Sequence, residues 1–373
     1  DFQIGMTRHF LDPTDAGPRF AQDRIDAIET LGAIASETGA RCIVVAGDVF
    51  ESNQLGEQVI ARAMHAMSRL PVPIILLPGN HDPLDASSVF NAPAVAGAPD
   101  HVVVVRDQSP FRLPGLPGVE FVGAPWPSKR PSVDLCAGML TGLTTVGEGF
   151  RIAIAHGQTS DQAPDPSAPG LIDLGLAESA VRDGRIHYLA LGDRHSTTAK
   201  GTTGAVWYSG APVATDFDEQ DSGNALVVTL RAEGPPQVRP HRVGGWVFDE
   251  RHFDVNDEAD LGAIEDWFAG HAAPARTVAR LSMSGTVNLR TKALIDALID
   301  NMAASYASVR IHARHHDLVV APDQLDNDSV ALTGYARAAW DELVAGAAGT
   351  DEDARVDRDA LALFYRLAGA AGR

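Results

Sequence analysis

The sequence of 373 residues predicts an α/β fold, followed by a small α/β domain and C-terminal helices. Two observations support this class. Short, continuous apolar segments alternate with segments whose apolar residues recur at helical spacing, a pattern typical of a sheet covered by helices on both faces. Hydrophobic residues also make up 45% of the chain, which is enough to form a sizeable core. The length indicates more than one domain.

The first part of the chain is expected to alternate between helices and strands. Apolar periodicity predicts a helix over residues 19–39 and another over 56–70, and Gly39 is a suitable end for the first. Strands are expected at residues 42–46, 73–77, 102–105, 120–122, 151–155, 188–191, 206–208 and 225–230. The segment 160–170 is rich in Pro, Asp and Ala and is predicted to be a loop.

Composition divides the chain into three parts. Pro, Gly and Arg cluster at residues 235–245, and we place a domain boundary near Glu250, so that the first domain is residues 1–250. A helix (261–269), a strand (277–282), a second helix (289–304) and a second strand (308–312) are expected to follow. They predict a small α/β domain at residues 251–330, and the alanine-rich segment 331–373 is expected to form helices.

The sequence also indicates the cellular compartment in which the protein is expected. No segment reaches the roughly 18 uncharged apolar residues that a membrane span requires, and none has the pattern of a secretory signal. The two cysteines, Cys42 and Cys136, do not suggest a disulfide framework. We therefore expect a cytoplasmic protein that does not associate with a membrane.

The formal net charge of −19 bears on the substrate. Proteins that bind nucleic acid by its phosphates usually present a basic face, because counterion release supplies much of their affinity. An acidic chain can still act on DNA if bound cations bridge to the phosphates, or if a partner supplies the basic surface. The charge therefore keeps a small phosphodiester open as an alternative substrate.

Polar side chains follow several predicted strands at the point where each strand ends. The motifs are Gly47-Asp48, Gly79-Asn80-His81-Asp82, His156-Gly157 and Gly192-Asp193-Arg194-His195, with Asp1-Phe2-Gln3 at the first residues. A single such motif is ordinarily only a turn. Ligands bind at the carboxyl ends of strands in open α/β sheets, so five motifs of this kind predict one shared site. The glycines allow the backbone to turn sharply and to approach an ion closely.

The ligand types in these motifs predict two metal ions. Oxygen and imidazole ligands without a thiolate favour Mn²⁺, Mg²⁺, Fe or Zn²⁺. Two ions about 3.5–4 Å apart, bridged by one carboxylate, can hold a phosphate and activate a water molecule for its hydrolysis. A nearby His that is not a ligand can protonate the leaving oxygen. The chemistry that these residues predict is the hydrolysis of a phosphoester.

The same motifs resemble the blocks of the calcineurin-like metallophosphoesterase superfamily, which are Asp-x-His, Gly-Asp, Gly-Asn-His-Asp/Glu, a His after a strand, and Gly-His-x-His. Two further segments are similar to the SbcD-type DNA-repair exonucleases in particular. They are Gly47-Asp48-Val49-Phe50-Glu51, and Trp207-Tyr208-Ser209-Gly210 followed by Asp216-Phe217-Asp218-Glu219. The resemblance covers residues 1–250 and implies a two-sheet α/β sandwich with helices outside, followed by a cap domain.

The resemblance also implies roles for individual residues. The first metal would be held by Asp1, Gln3, Asp48 and His195, and the second by Asp48, Asn80, His156 and Asp193. In this scheme Asp48 bridges the ions, and His81 is the general acid or transition-state stabiliser. The candidates for contacts with substrate phosphates are Arg8, Lys129, Arg130 and Arg194, although Lys129 and Arg130 are also typical of a solvated turn.

Two positions depart from the family pattern. Gln3 and Asp193 stand where the family has His. Replacing two imidazoles by oxygen ligands makes the site harder, which favours Mn²⁺ or Mg²⁺ over Zn²⁺. Because Gln3 is neutral, we expect the first metal to bind more weakly. A scaffold subunit with weakened catalysis is therefore a second alternative.

The favoured interpretation is a two-metal-dependent phosphodiester hydrolase that acts as a DNA exonuclease or endonuclease in double-strand break repair. The resemblance implies a homodimer that works with an SMC-like ATPase subunit of the SbcC type. The coiled coil of that partner would dock on the C-terminal helices at residues 331–373.

Overall fold

The structure is a computed structural model that describes residues 1–12, 14–163, 165, 171–320 and 334–347, with residues 354, 356, 357, 360, 361, 363 and 364. Part of the predicted loop (164 and 166–170) and part of the predicted small domain (321–330) lie outside the described residues. The same is true of residues 331–333, 348–353, 355, 358, 359, 362 and 365–373 of the predicted C-terminal helices. The chain divides into two compact units, Asp1–Trp246 and Val247–Arg373.

Helices and strands alternate through residues 16–104 and 119–192, and the sequence predicts the first two of these helices. The helices are α1 (Ala16–Thr38), α2 (Glu57–Ser68), α3 (Pro93–Ala96), α4 (Leu135–Thr141) and α5 (Leu174–Arg182). The strands are β1 (Ile43–Val45), β2 (Ile74–Leu76), β3 (Val102–Val104), β4 (Val119–Gly123), β5 (Phe150–His156), β6 (Tyr188–Gly192), β7 (Thr198–Lys200), β8 (Val206–Tyr208), β9 (Asn224–Thr229) and β10 (Gln237–Arg242). Gly39 ends α1 in the left-handed conformation, with φ of 70°.

Two largely parallel sheets form the centre of this unit. One has the order β1-β2-β3, and both of its strand pairs are parallel. The other has the order β4-β5-β6-β8-β7, in which β7 runs antiparallel to its neighbour β8. Strands β9 and β10 form a separate antiparallel ribbon. Because parallel strands end at the same edge of a sheet, the polar motifs that follow them are brought together.

The two sheets pack face to face, and helices cover their outer faces. Ile75 of the first sheet shares a buried core with Phe121 and Ile154 of the second. Ile28 of α1 belongs to the core on the outer face of the first sheet, and Ala177 of α5 to the core on the outer face of the second. Strands buried on both faces explain the continuous apolar runs. The expected two-sheet α/β sandwich is confirmed.

Two strands of the first unit are not predicted by the sequence. β7 has only three residues and contains Lys200, so it lacks an apolar run. β10 contains Pro240 and lies in the segment that we interpreted as a break before a domain boundary. Pro240 is tolerated because the described ladder of β10 is with β9 alone, and a proline is acceptable in an edge strand.

The second unit is a smaller α/β assembly. Its elements are β11 (Val247–Asp254), α6 (Leu261–Ala269), β12 (Thr277–Val287), α7 (Leu289–Ala303), β13 (Ser308–Ile311), β14 (Asp317–Val320) and α8 (Tyr335–Ala347). β11, β13 and β14 each pair with β12 in parallel. Trp267 of α6 and Ile295 of α7 pack with Leu281 of β12 in one core.

The division between the units follows Trp246 rather than Glu250. β11 runs through Glu250, so the predicted boundary would cut a strand. Trp246 is buried and belongs to the first unit, where its ring lies 4.8 Å from that of Phe20 and its Nε1–H donates to Asp23. The sequence offers no local sign of these long-range contacts. Among the described residues, no helix is long and apolar enough to cross a membrane.

Candidate metal centre

Four of the predicted ligands lie at the carboxyl ends of strands from both sheets. Asp48 follows β1 and Asn80 follows β2 in the first sheet. His156 is the last residue of β5, and Asp193 comes directly after β6 in the second sheet. The strand-end pattern in the sequence therefore corresponds to a common edge of the sandwich.

The first residues of the chain join this edge through backbone contacts. Ile4 forms a parallel bridge with Phe50. The backbone N–H of Gln3 donates to the carbonyl oxygen of Asp48 at 2.8 Å. The segment that contains Asp1 and Gln3 therefore runs beside the turn that carries Asp48.

Several ligand atoms converge around the imidazole of His156. Its Nε2 lies 2.7 Å from Oδ1 of Asn80 and 3.4 Å from Oδ1 of Asp48. The same nitrogen is 3.8 Å from Oδ1 of Asp193. On the other side of the ring, Nδ1 is 3.6 Å from Oδ1 of Asp1. Asp1, Asp48 and His156 offer ligand atoms within 4.8 Å of one another. These five residues are brought together as the sequence predicts.

Gln3 supplies a buried oxygen that lacks a partner. The residue is 3% exposed, and its Oε1 has no hydrogen-bond partner among the described residues. A buried amide oxygen without a hydrogen bond is costly, and a cation can satisfy it. Gln3 therefore fits an oxygen ligand at this position.

Asp48 lies between the two predicted sets of ligands. Its carbonyl oxygen accepts a hydrogen bond from Gln3, and its side-chain Oδ1 faces His156. The same Oδ1 accepts a hydrogen bond from the backbone N–H of His81 at 3.0 Å. The buried carboxylate of Asp48 offers a ligand atom within 4.8 Å of Asp1 in one set and of His156 in the other. It is therefore placed to bridge two ions.

Three candidate ligands have backbones in the left-handed region. Four non-glycine residues among those described have positive φ, and three of them are Gln3 (47°), Asp48 (48°) and Asp193 (94°). Such conformations cost on the order of 1–3 kcal/mol each and persist where the surrounding structure enforces them, often at functional sites. The fold therefore holds these three side chains in place against local strain.

Two glycines allow the ligands to approach one another. A Cβ atom on Gly47 would lie 2.0 Å from Nδ1 of His156. A Cβ atom on Gly79 would lie 2.2 Å from Oδ1 of Asp48. Both distances are far below van der Waals contact, so neither position accommodates a side chain without moving a candidate ligand.

His195 lies on the wall of a cavity that Asp193 also lines. Its Nδ1 is 2.8 Å from Oε1 of Glu219 and 2.8 Å from Oγ1 of Thr215. Burial raises the pKa of Glu219, but the hydrogen bonds from His195 and Thr215 outweigh this effect and hold the pKa below its usual value. Because Nδ1 is engaged, Nε2 is the ring nitrogen that can serve as a ligand.

His81 contacts the centre without joining the converging ligands. Its Nδ1 lies 3.0 Å from the carbonyl oxygen of Glu51 and 3.6 Å from Oε1 of the same residue. Burial lowers the pKa of His81, but the charge of Asp48 and the hydrogen bond to Glu51 raise it more, so the pKa lies above its usual value. A partly exposed imidazole beside Asp48 can donate a proton.

The four basic residues predicted to bind substrate do not lie together. Arg8 and Arg194 line a cavity of about 330 Å³ with Asp193 and His195. In the described part of the chain, Nε of Arg194 is buried without a hydrogen-bond partner. Lys129 and Arg130 are exposed and do not line this cavity.

Sequence reasoning missed two residues that organise the centre. Asp82 is fully buried and accepts hydrogen bonds from the backbone N–H groups of Phe50 (2.9 Å) and Gly79 (2.7 Å). Burial raises its pKa to about 7. Trp126 donates from Nε1 to the carbonyl oxygen of His156 at 2.8 Å. The motif around Asp82 is a visible signal, whereas the contact of Trp126 depends on the tertiary structure.

The family of the chain is shown by comparison with known proteins. A family model for the calcineurin-like phosphoesterases matches residues 21–229, which is more than half of the chain. The chain belongs to this family. Among solved structures, it is similar to TT1561 of Thermus thermophilus, with 14% identity over 59% of this chain and 94% of the other and a TM-score of 0.41. A search of curated proteins found no significant match.

The family identifies the chain as a metal-dependent hydrolase of phosphoesters, and family members typically bind two divalent metal ions. The residues at the strand ends fit such ions. They supply carboxylate, amide and imidazole ligands, among them Oε1 of Gln3, which has no hydrogen-bond partner in the described part of the chain.

A substitution at Gly47 tests the metal centre without replacing any of the proposed ligands. We expect Gly47→Ala to displace the ring of His156 and to weaken Mn²⁺ binding by about tenfold or more, as loss of ligand orientation does. Isothermal titration calorimetry measures the affinity. Gly39→Ala is the matched control, because Gly39 also has positive φ (70°) but a Cβ there meets nothing within 4 Å. Equal Mn²⁺ affinity in both variants would show that His156 does not bind the metal.

Proposed function

We propose that the chain is a two-metal phosphodiesterase that cleaves DNA, as an exonuclease or endonuclease in double-strand break repair. The observation that carries the proposal is the convergence of ligand atoms from both sheets around Asp48 and His156, beside a cavity lined by Arg8 and Arg194. The resemblance of two motifs to SbcD-type exonucleases supports DNA as the substrate.

The proposed ligands form two sets that share Asp48. Asp1, Gln3, Asp48 and His195 would hold one ion, and Asp48, Asn80, His156 and Asp193 would hold the other. Bound there, the ions would neutralise a phosphate and lower the pKa of a water molecule. We propose Mn²⁺ as the preferred ion, because Gln3 and Asp193 offer oxygens where the family pattern has imidazoles.

His81 is the proposed proton donor to the leaving oxygen. Its Nδ1 contacts the carbonyl and the carboxylate of Glu51, which orients the ring. Its backbone N–H donates to Asp48, which ties the residue to the centre of the site. This arrangement leaves Nε2 of His81 to hold the proton that the leaving oxygen needs.

The cavity supports a substrate with more than one phosphate. Arg194 offers a buried Nε–H without a partner among the described residues. Arg8 is held at the cavity wall by a hydrogen bond from its guanidinium to the carbonyl of Thr215 at 2.6 Å. Two of the carboxylates on this wall, Asp216 and Glu219, already interact with Arg8 and His195, which reduces their repulsion of a phosphate. A DNA strand could therefore place a neighbouring phosphate here.

Fewer basic residues line the cavity than the sequence predicts for contacts with substrate phosphates. Lys129 and Arg130 would contact DNA only beyond the cavity, because they are exposed and do not line it. Lys200, the next Lys or Arg after Arg194, is buried and its Nζ lies 2.6 Å from Oδ2 of Asp161. It is therefore not placed to bind a phosphate.

A small phosphodiester is the second candidate substrate. The net charge of −19 favours it, since an acidic surface repels a polyanion. An assay with Mn²⁺, comparing single-stranded and duplex DNA with a small chromogenic phosphodiester, distinguishes the two. Cleavage of the small substrate without cleavage of either DNA would contradict the nuclease proposal, and absence of turnover with both would favour a scaffold subunit.

The proposed assembly follows from the same resemblance. It is a homodimer with an SMC-like ATPase of the SbcC type, whose coiled coil would dock on the C-terminal helices. The described part of that segment includes α8, which begins with the exposed Tyr335. Co-purification of the two subunits, with and without residues 331–373, tests this docking.

The roles of Asp48 and His81 can be separated. Asp48→Ala should abolish metal binding, because it removes the bridging carboxylate. His81→Ala should retain both ions and slow turnover by about 10²–10⁴-fold, the usual effect of losing a general acid. His65→Ala, an exposed histidine of α2, is the control that should change neither. Loss of metal from the His81 variant would show that its role is wrongly assigned.

Metal preference depends on Gln3 and Asp193. Mn²⁺ should activate the enzyme better than Zn²⁺, and the double substitution Gln3→His with Asp193→His should raise the affinity for Zn²⁺ relative to Mn²⁺. Competitive titration of the two metals measures the change. An unchanged preference would mean that these side chains do not reach the ions.

Arg194 should distinguish DNA from a small substrate. Arg194→Gln removes one phosphate contact, so DNA binding should weaken and its salt dependence should fall by about 0.9 in log–log slope. Hydrolysis of a small phosphodiester, which has no neighbouring phosphate, should change little. Arg69→Gln, at an exposed site in the same unit, is the matched control. If DNA binding and hydrolysis of the small phosphodiester fell by the same factor, Arg194 would not be a contact specific to DNA.

A further inference from the structure

Glu219 forms a closed triangle of hydrogen bonds with His195 and Thr215. Its Oε1 lies 2.8 Å from Nδ1 of His195, and the hydroxyl of Thr215 donates to the same oxygen. Its Oε2 accepts the backbone N–H of Thr215 at 2.9 Å. The side chain of Glu219 is only 5% exposed, so water competes little for these contacts. Both carboxylate oxygens are therefore engaged in holding neighbouring groups.

The triangle determines which nitrogen of His195 carries the proton. An ionised carboxylate can only accept hydrogen bonds, so Nδ1 of His195 must be the donor. In the neutral ring the lone pair then lies on Nε2, which is the form of imidazole that binds a metal. Glu219 thus selects the tautomer that the proposed ligand role of His195 requires.

Backbone contacts hold the imidazole and the carboxylate in a fixed relation. The N–H of Ala211 donates to the carbonyl of His195 at 2.9 Å. The N–H of Gln220 donates to Oγ of Ser196 at 2.9 Å. The segment that carries Glu219 is therefore attached directly to the segment that carries His195.

The other candidate imidazole ligand is oriented differently. Nδ1 of His156 lies 2.9 Å from the carbonyl oxygen of Ala46, which is neutral. The ring of His195 instead hydrogen-bonds to a carboxylate, and His195 belongs to the ligand set that contains the neutral Gln3. A carboxylate behind an imidazole makes the imidazole a stronger ligand. Glu219 thus offsets the weak ligand on the same side of the centre.

We propose that Glu219 is a positioning residue that holds His195 in the Nδ1–H form and strengthens metal binding on the His195 side of the centre. The proposal rests on the two-metal site proposed above. Glu219 is not one of the proposed metal ligands, and it acts on the metal through its hydrogen bond to His195.

The test is Mn²⁺ titration of the full chain by calorimetry, with Glu219→Gln and Glu219→Ala. The wild type should bind two ions, and each variant should bind one of them about 10–100-fold more weakly, the usual effect of losing such a partner. Glu178→Gln is the matched control. Glu178 is also a buried carboxylate, and it accepts the backbone N–H groups of Thr202 and Thr203 at 2.8 Å, away from the candidate ligands.

A spectroscopic measurement separates positioning from a loss of folding. In metal-free protein, ¹⁵N NMR of the histidine rings should show His195 protonated at Nδ1, assigned by comparison with His195→Gln. Glu219→Ala should shift it towards the Nε2–H form. Wild-type Mn²⁺ affinity in both Glu219 variants, or an unchanged ring, would overturn this inference alone. A wild type that binds fewer than two ions would instead overturn the proposed function.

Discussion

The contact between His156 and the carbonyl oxygen of Ala46 joins the two sheets at the edge where the candidate ligands lie. Nδ1 of His156, at the end of β5, donates to this oxygen at the end of β1 over 2.9 Å. Since a carbonyl can only accept, Nδ1 carries a proton, and in the neutral ring the lone pair then lies on Nε2, the nitrogen nearest to Asn80 and Asp48. A Cβ on Gly192 would lie 1.7 Å from the same carbonyl oxygen, so only glycine permits the sheets to approach this closely.

This approach of the sheets brings like charges together. The carboxylates of Asp1, Asp48 and Asp193 each lie within 3.8 Å of the ring of His156. Partial burial raises the pKa of Asp193; the neighbouring His156 opposes that rise, and the charge of Asp48 adds to it. Buried carboxylates repel one another unless cations compensate them. Together with the strained backbones at Asp48 and Asp193, this cost is expected of a site that binds positive ions.

The continuous apolar runs, as in 73–77, predict strands that are buried on both faces, whereas the two-sheet sandwich is predicted only by the family resemblance. The sequence also predicts which side chains converge, because Asp48, His156 and Asp193 each follow such a run. It does not predict β10, whose polar residues resemble a linker, or the end of the first unit at Trp246, whose contacts are with α1. Local pattern carries no information about these long-range contacts.

The same limit applies to the residues around the ligands. Glu51 and Glu219 are present in motifs that resemble the SbcD type, but the motifs do not show which histidine each one contacts. Those pairs, Glu51 with His81 and Glu219 with His195, depend on loops that meet only in the folded chain. The basic residues are a further example, since Arg8 and Arg194 line the same cavity although 186 positions separate them in the sequence.

The carboxylate of Asp48 is proposed to be shared between two ions that are held by ligands from both sheets. Anomalous diffraction at the manganese edge, from crystals grown with Mn²⁺, would locate these ions. Two peaks should lie on either side of the Asp48 carboxylate, about 3.5–4 Å apart. One should lie towards Gln3 and His195, and the other towards Asn80 and His156. A single peak, or two peaks that do not share Asp48, would show that Asp48 does not bridge two ions.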